Sequence, residues 1–72
     1  MNEDEIEVGP MEYLVTDADK VGQYVNKAIG VGYEITYADD QEPTGSVTVY
    51  DLTLYDHKLI RNYINQNDLW SE

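Results

Sequence analysis

The sequence predicts a small α+β domain with its elements in the order β-α-β-β-α, and two observations carry this prediction. Two segments place apolar residues at helical spacing, and three show the alternation or the β-branched content of strands. A chain of 72 residues has room for one core, since so short a domain buries only about 60% of the surface that its unfolded form exposes. We therefore expect two layers: a three-stranded, mostly antiparallel sheet with its long third strand in the centre, and both helices on one face.

The first half of the chain predicts a lead-in, a strand and a helix. Residues 1–10 are acidic and end at a Gly-Pro break, a composition compatible with a flexible segment, and residues 11–72 form the single domain. Alternation over residues 11–15 predicts the first strand. A capping signal at residues 16–19 opens the first helix, which ends at Gly30 or Gly32 through a left-handed cap. The apolar stripe of this helix is Val21, Tyr24, Val25, Ala28 and Ile29.

The second half predicts a hairpin and a second helix. Alternation over residues 33–37 indicates a strand, residues 39–45 have the composition of a turn, and residues 46–55 are rich in strand-forming residues. The alternation slips within this last segment, which favours either a bulge near Tyr50 and Asp51 or a strand buried on both sides. Asp56 is the expected cap of the second helix. Its buried stripe is Leu59, Ile60, Tyr63 and Ile64, and Leu69 and Trp70 are expected to fold back as a lid.

Charge is the most unusual property of the composition. Fifteen Asp and Glu stand against four Lys and Arg, for a formal net charge of −11. Such a chain repels nucleic acid and anionic membranes and attracts basic surfaces. A hydrophobic content of 42% with seven Tyr is too high for a disordered chain, and the many Asn and Ile count against adaptation to high salt. The sequence shows neither a signal peptide nor a membrane span, so we expect a cytoplasmic protein.

The charges also separate along the sequence. All four cations fall in the predicted helices, whereas the acids lie in the lead-in, on strands, in the hairpin, at helix starts and at the C-terminus. Acids at helix starts (Asp17, Asp19, Asp56) are interpreted as caps. If the helices cover one sheet face, Glu12 and Glu34 point to the open face with Thr36 and Thr48. The hairpin acids then extend that face at one end, and the lead-in extends it further. Tyr50 or Tyr13 would be an aromatic anchor. The predicted partner-binding residues are Glu12, Glu34, Asp39, Asp40, Glu42, Tyr50 and Asp51.

Acids spaced along one folded surface can imitate a row of phosphates. We therefore expect an inhibitor, a protein-binding module that occupies the basic nucleic-acid-binding surface of a partner protein by DNA or RNA mimicry and binds no nucleic acid itself. One alternative is an acidic surface that only keeps the protein soluble. Another is a structural or regulatory subunit, including a homodimer, that acts through a sheet edge or apolar contacts, with Ile6 and Val8 as pairing residues.

The sequence offers no pattern typical of catalysis, a metal site or a cofactor. Its single histidine, His57, is expected to be a solvated residue of a first helical turn. Ser46 and Ser71 lack the context of a nucleophile, and there is no cysteine. The acidic turn at residues 39–42 lacks the ligand spacing of a calcium loop. We therefore expect a protein that is not an enzyme.

Overall fold

Three strands form one antiparallel sheet whose last strand is central. Strand β1 (Met11–Val15) and strand β2 (Tyr33–Tyr37) each pair with strand β3 (Gly45–Val49), which lies between them. The computed structural model describes residues 3–39 and 42–71. Both outer strands run antiparallel to β3, which confirms the predicted α+β architecture and the central position of the third strand.

Two helices cover one face of this sheet. Helix α1 (Ala18–Tyr24) continues as a π-helical turn over Val25–Ile29, and helix α2 (Leu54–Gln66) follows β3. Side chains from both helices meet alternate residues of β1 and β3 in one apolar cluster, and each large aliphatic group buried there contributes about 1.5–3 kcal/mol. The buried cluster contains Tyr13, Val15, Ala18, Val21, Val25, Val47, Val49, Leu52, Ile60 and Ile64.

Helix α1 begins and its helical segment ends where the sequence predicts, but only part of the predicted apolar stripe is buried. The Asp17 side chain accepts a hydrogen bond from the Lys20 amide at 3.0 Å, and Gly30 closes the helical segment with φ 80°. Val21 and Val25 are buried as predicted, whereas Ala28 is exposed. The π-helical turn adds a residue to the repeat after Tyr24, so the apolar face no longer reaches Ala28.

Gly22 allows α1 to lie close to β2. A Cβ atom added at Gly22 would lie 2.8 Å from Cδ1 of Ile35 and 3.0 Å from a ring carbon of Tyr33. The glycine that weakens the helix by about 1 kcal/mol relative to alanine therefore has a packing role. On the other side of α1, the rings of Tyr24 and Tyr63 stack with centroids 4.1 Å apart and join the two helices.

The prediction for residues 46–55 was wrong beyond Val49. The strand ends there, and Asp51 reverses the chain with a φ of 51°, which aspartate tolerates better than most residues. Leu52 then enters the core from the turn, which accounts for the slipped alternation without a bulge or a doubly buried strand. The second helix begins at Leu54, and its cap is Thr53, whose Oγ1 accepts from the amide of Asp56 at 3.3 Å.

The first and last segments of the described residues both pair with the body of the domain. In the lead-in, the amides of Val8 and Leu54 form hydrogen bonds across to Leu52 and Ile6, at 2.7 and 2.8 Å. A short 3-10 turn, Glu3–Glu5, precedes this pairing and lies against α2. Of the predicted lid, Leu69 packs against the core as expected, whereas Trp70 is among the exposed large hydrophobic residues. No helix among the described residues is long and apolar enough to cross a membrane.

Candidate functional site

The helices leave the other face of the sheet uncovered, and we call it the open face. The strand register places its side chains in two rows across the three strands. One row has Thr48 between Glu12 and Glu34, and the other has Ser46 between Leu14 and Thr36. The predicted positions of Glu12, Glu34, Thr36 and Thr48 on this face are therefore confirmed.

The glutamate row holds the two carboxylates in a fixed relation. Neighbouring strands lie about 4.8 Å apart, so the backbones of Glu12 and Glu34 are separated by about 10 Å. Both side chains are exposed. All four Lys and Arg of the described chain lie on the helical segments, so no cation neutralises the row on its own face.

The open face also carries exposed apolar groups. Leu14 is 57% exposed and Tyr50 is 42% exposed. The Tyr50 amide donates to the carbonyl of Gly32 at 3.0 Å, which continues the ladder by one residue and gives Tyr50 the same parity as Ser46 and Thr48. Tyr50 is therefore available as an anchor. Tyr13 is not, because its side chain is only 2% exposed on the helix side, and this part of the prediction was wrong.

The remaining predicted site residues lie at opposite ends of the sheet. Asp39 and Glu42 are exposed in the hairpin before β3, and Asp51 is exposed in the turn after it. Asp40 falls outside the described residues. The six residue steps from Thr44 to Tyr50 correspond to about 20 Å of strand, so the structure distributes the acids along the sheet rather than clustering them.

Glu42 belongs to a second acidic feature that the sequence did not indicate. It lines an open groove of about 760 Å³ together with Asp17, Asp19, Lys20 and Tyr37. The Tyr37 hydroxyl donates to the Asp19 carboxylate, and this hydrogen bond raises the pKa of Tyr37. Asp17 and Asp19 were interpreted only as caps, and the fold of the hairpin over the start of α1 brings Glu42 to them. Contacts between the Ala18 amide and the Pro43 carbonyl, at 2.8 Å, hold the hairpin there.

The separation of charge in space is less complete than the sequence indicates. The lead-in was expected to extend the open face, but its 3-10 turn, Glu3–Glu5, lies against α2. The Lys58 ammonium forms an ion pair with Asp4 at 3.2 Å. An exposed pair of this kind contributes about 0–1 kcal/mol, yet it shows that Asp4 faces the helical layer.

The two edges of the sheet differ. The outer edge of β1 is paired at its end by the C-terminal segment: the Thr16 amide donates to Leu69 at 2.7 Å, and the Ser71 amide donates to Leu14 at 3.0 Å. The outer edge of β2 has no such pairing among the described residues.

His57 is not the simple solvated residue that the sequence indicates. It is half-buried, and Nδ1 of its ring lies 2.7 Å from the hydroxyl of the buried Tyr13. Burial, with a smaller effect of the Arg61 charge, lowers the pKa of His57. The contact joins β1 to α2 and is a structural feature of the core.

Among the described residues, no group of three or more His, Asp or Glu side chains is arranged to hold a metal ion. Comparison of the chain with protein-family models, curated proteins and solved structures finds no match in any of the three.

Proposed function

We propose that this protein is an acidic inhibitor that binds, through its open face, a basic surface with which a partner protein otherwise binds nucleic acid. The observation that carries the proposal is the row of Glu12, Thr48 and Glu34 on an uncovered sheet face, with every lysine and arginine of the chain on the helical segments.

Carboxylates on this face can replace phosphates as acceptors for a partner's arginine and lysine side chains. Charge-assisted hydrogen bonds from arginine have the same forked geometry with carboxylate as with phosphate. The exposed acids at the two ends, Asp39 and Asp51, extend the charged surface along the length of β3. A net charge of −11 attracts a basic partner from a distance and raises the association rate.

The apolar groups of the open face give the complex a contact that salt does not weaken. Tyrosine supplies a large contact area with little loss of conformational freedom and is common among the residues that dominate binding. Tyr50 lies at the end of the open face nearest Asp51, and Leu14 lies in the second row. The proposal places the interaction in the cytoplasm and requires no catalytic step, metal or cofactor.

The test is capture of a partner from a cell lysate at low salt on the immobilised protein. The captured protein is eluted with a salt gradient and, in a parallel sample, with duplex DNA or RNA at constant salt. We expect to capture a nucleic-acid-binding protein that both salt and nucleic acid displace. Salt ions and nucleic-acid phosphates compete with the carboxylates of this protein for the partner's lysine and arginine side chains. A partner that resists both treatments would contradict the proposal.

A further inference from the structure

We propose that the outer edge of β2 binds an extended basic segment of the partner as a fourth strand of the sheet. This inference rests on the proposed function, since it specifies which kind of segment the same partner presents.

The hydrogen-bonding phase of β2 leaves a row of backbone groups pointing outward. The amide of Tyr50 donates to Gly32, and the amide of Ala38 donates to Thr44 at 2.9 Å, so even-numbered residues of this stretch face β3. The N–H and C=O groups of the odd-numbered residues therefore point away from the sheet. These residues are Tyr33, Ile35 and Tyr37, and no backbone hydrogen bond of the described chain reaches their outward groups.

The same chain already adds a strand-like segment to its other edge. Residues 69–71 pair with the outer edge of β1 through Thr16 and Leu14. Because residues 69–71 already occupy the outer edge of β1 along its C-terminal half, a fourth strand is expected at β2 instead. An unprotected edge of this kind is a common template for peptides that bind in extended form.

Charge decides which occupant the edge favours. Glu34 projects from the middle of β2 on the open face. On the helix side, Tyr37 adjoins the groove, whose three carboxylates outnumber its one cation, Lys20. Side chains of an added strand alternate between these two faces, so lysine or arginine on either face meets carboxylates. A second copy of this chain would bring a further charge of −11 to the same edge, which disfavours self-pairing at low salt.

The apolar side chains of β2 indicate which residues the partner's segment carries between its basic ones. Tyr33 and Ile35 are half-buried under α1, and Tyr37 is 46% exposed. A β-branched residue on the helix side of an added strand would cover these side chains, as cross-strand neighbours do within a sheet. The structure therefore favours a segment in which β-branched and basic residues alternate, with a further basic residue at the groove.

The test uses a short synthetic peptide in which valine and lysine alternate, added to the full chain at low salt. Amide hydrogen exchange is followed residue by residue by NMR. With the peptide at ten times its Kd, exchange at Tyr33, Ile35 and Tyr37 is expected to slow by about tenfold, since bound molecules are protected. Exchange at Glu12, on the opposite edge, is expected to stay unchanged. Protection of Glu12 instead of β2 would overturn the inference.

Two control peptides leave the protein unaltered. One carries N-methyl groups on the residues whose amides would pair with β2, and the other has glutamate in place of lysine. We expect neither to protect the β2 amides. Equal protection by the N-methylated peptide would show that binding does not use strand pairing. Protection that grows with protein and salt concentration without peptide would show that a second copy occupies the edge, and would also overturn the inference.

A variant tests the edge from the protein side. Ile35→Pro removes one outward N–H but none of the hydrogen bonds to β3, and Ile35→Val is the matched control that keeps the amide. We expect Ile35→Pro to lose peptide binding and Ile35→Val to keep it. If Ile35→Pro fails to fold, the peptide controls still decide. If the peptide does not bind the edge while charge reversal at Glu12 and Glu34 abolishes partner capture, the inference fails and the proposed function stands.

Discussion

The hydroxyl of Tyr13 lies 2.7 Å from Nδ1 of His57, with the two rings stacked at a centroid distance of 5.6 Å. The contact joins β1 to the first turn of α2 inside the helix-covered side of the sheet. Burial raises the pKa of Tyr13, so its hydroxyl stays protonated, and it donates to Nδ1 when the neutral imidazole carries its proton on Nε2. The lowered pKa of His57 makes this contact sensitive to pH.

The stability of the domain is expected to contain a contribution from His57 that is lost at acidic pH. In the unfolded chain His57 binds a proton near its ordinary pKa of 6.5, and in the folded chain it does so only at lower pH. The unfolded state therefore binds more protons, and the contribution is present above pH 6.5 and decreases as the pH falls through the folded pKa. Denaturant unfolding between about pH 7.5 and 5.5 measures this, since the window spans the ordinary His pKa.

The matched control is His57→Gln, which keeps a polar side chain and does not titrate. Its free energy of unfolding should vary less with pH than that of the wild type, and the difference between the two isolates His57 from the surface carboxylates. Parallel curves for the two proteins would contradict the assignment.

Gly45→Ala is expected to destabilise the domain by about 1–3 kcal/mol. A Cβ atom at Gly45 would lie 2.2 Å from the carbonyl oxygen of Thr36 and 2.9 Å from Cα of Tyr37, and both are backbone atoms that cannot move alone. Gly32→Ala is the control, because nothing lies within 4 Å of its added Cβ. Urea denaturation of both variants tests this. A neutral Gly45→Ala would show that β2 and β3 are less closely paired than described.

Thr53→Ala is expected to cost about 1 kcal/mol of stability, because it removes the side-chain cap of α2. Asp56→Asn should cost less, since the Asp56 amide rather than its carboxylate makes the capping hydrogen bond. Thermal unfolding of the two variants compares them directly. A larger loss of stability in Asp56→Asn than in Thr53→Ala would show that Asp56 caps α2, as the sequence predicts, and would contradict the role of Thr53.

The sequence predicts the fold where a local pattern is sufficient. The capping signal at Asp17, the left-handed Gly30 and the alternation of β1 and β2 each depend on neighbouring residues, and each appears as expected. The end of β3, in contrast, cannot be predicted from neighbouring residues alone. Val49 and Leu52 have opposite parity in a regular strand, and the positive φ of Asp51 that brings both to one core is set by the whole turn.

In the candidate site, too, the sequence predicts only the positions that a local pattern determines. Strand parity predicts that Glu12 and Glu34 share the open face, and the register then places both opposite Thr48. The position of the other acids depends on tertiary packing between residues far apart in sequence. Asp4 meets Lys58 across 54 positions, and Glu42 reaches the start of α1 because the hairpin folds over it. No local pattern contains that information.

The most direct test of the central claim is the affinity of the captured partner for two charge-reversal variants at one salt concentration. Glu12→Lys with Glu34→Lys changes the open face, and Glu3→Lys with Glu5→Lys changes the lead-in. Each replacement of glutamate by lysine raises the net charge by two units, so the net charge of both double variants is −7 instead of −11. Circular dichroism checks that both remain folded.

We expect the open-face variant to lose at least about a hundredfold in affinity, because it lacks two charge-assisted hydrogen bonds, and the lead-in variant to change far less. Equal losses in the two variants would show that only net charge matters, and would contradict a specific binding role for the row of Glu12 and Glu34.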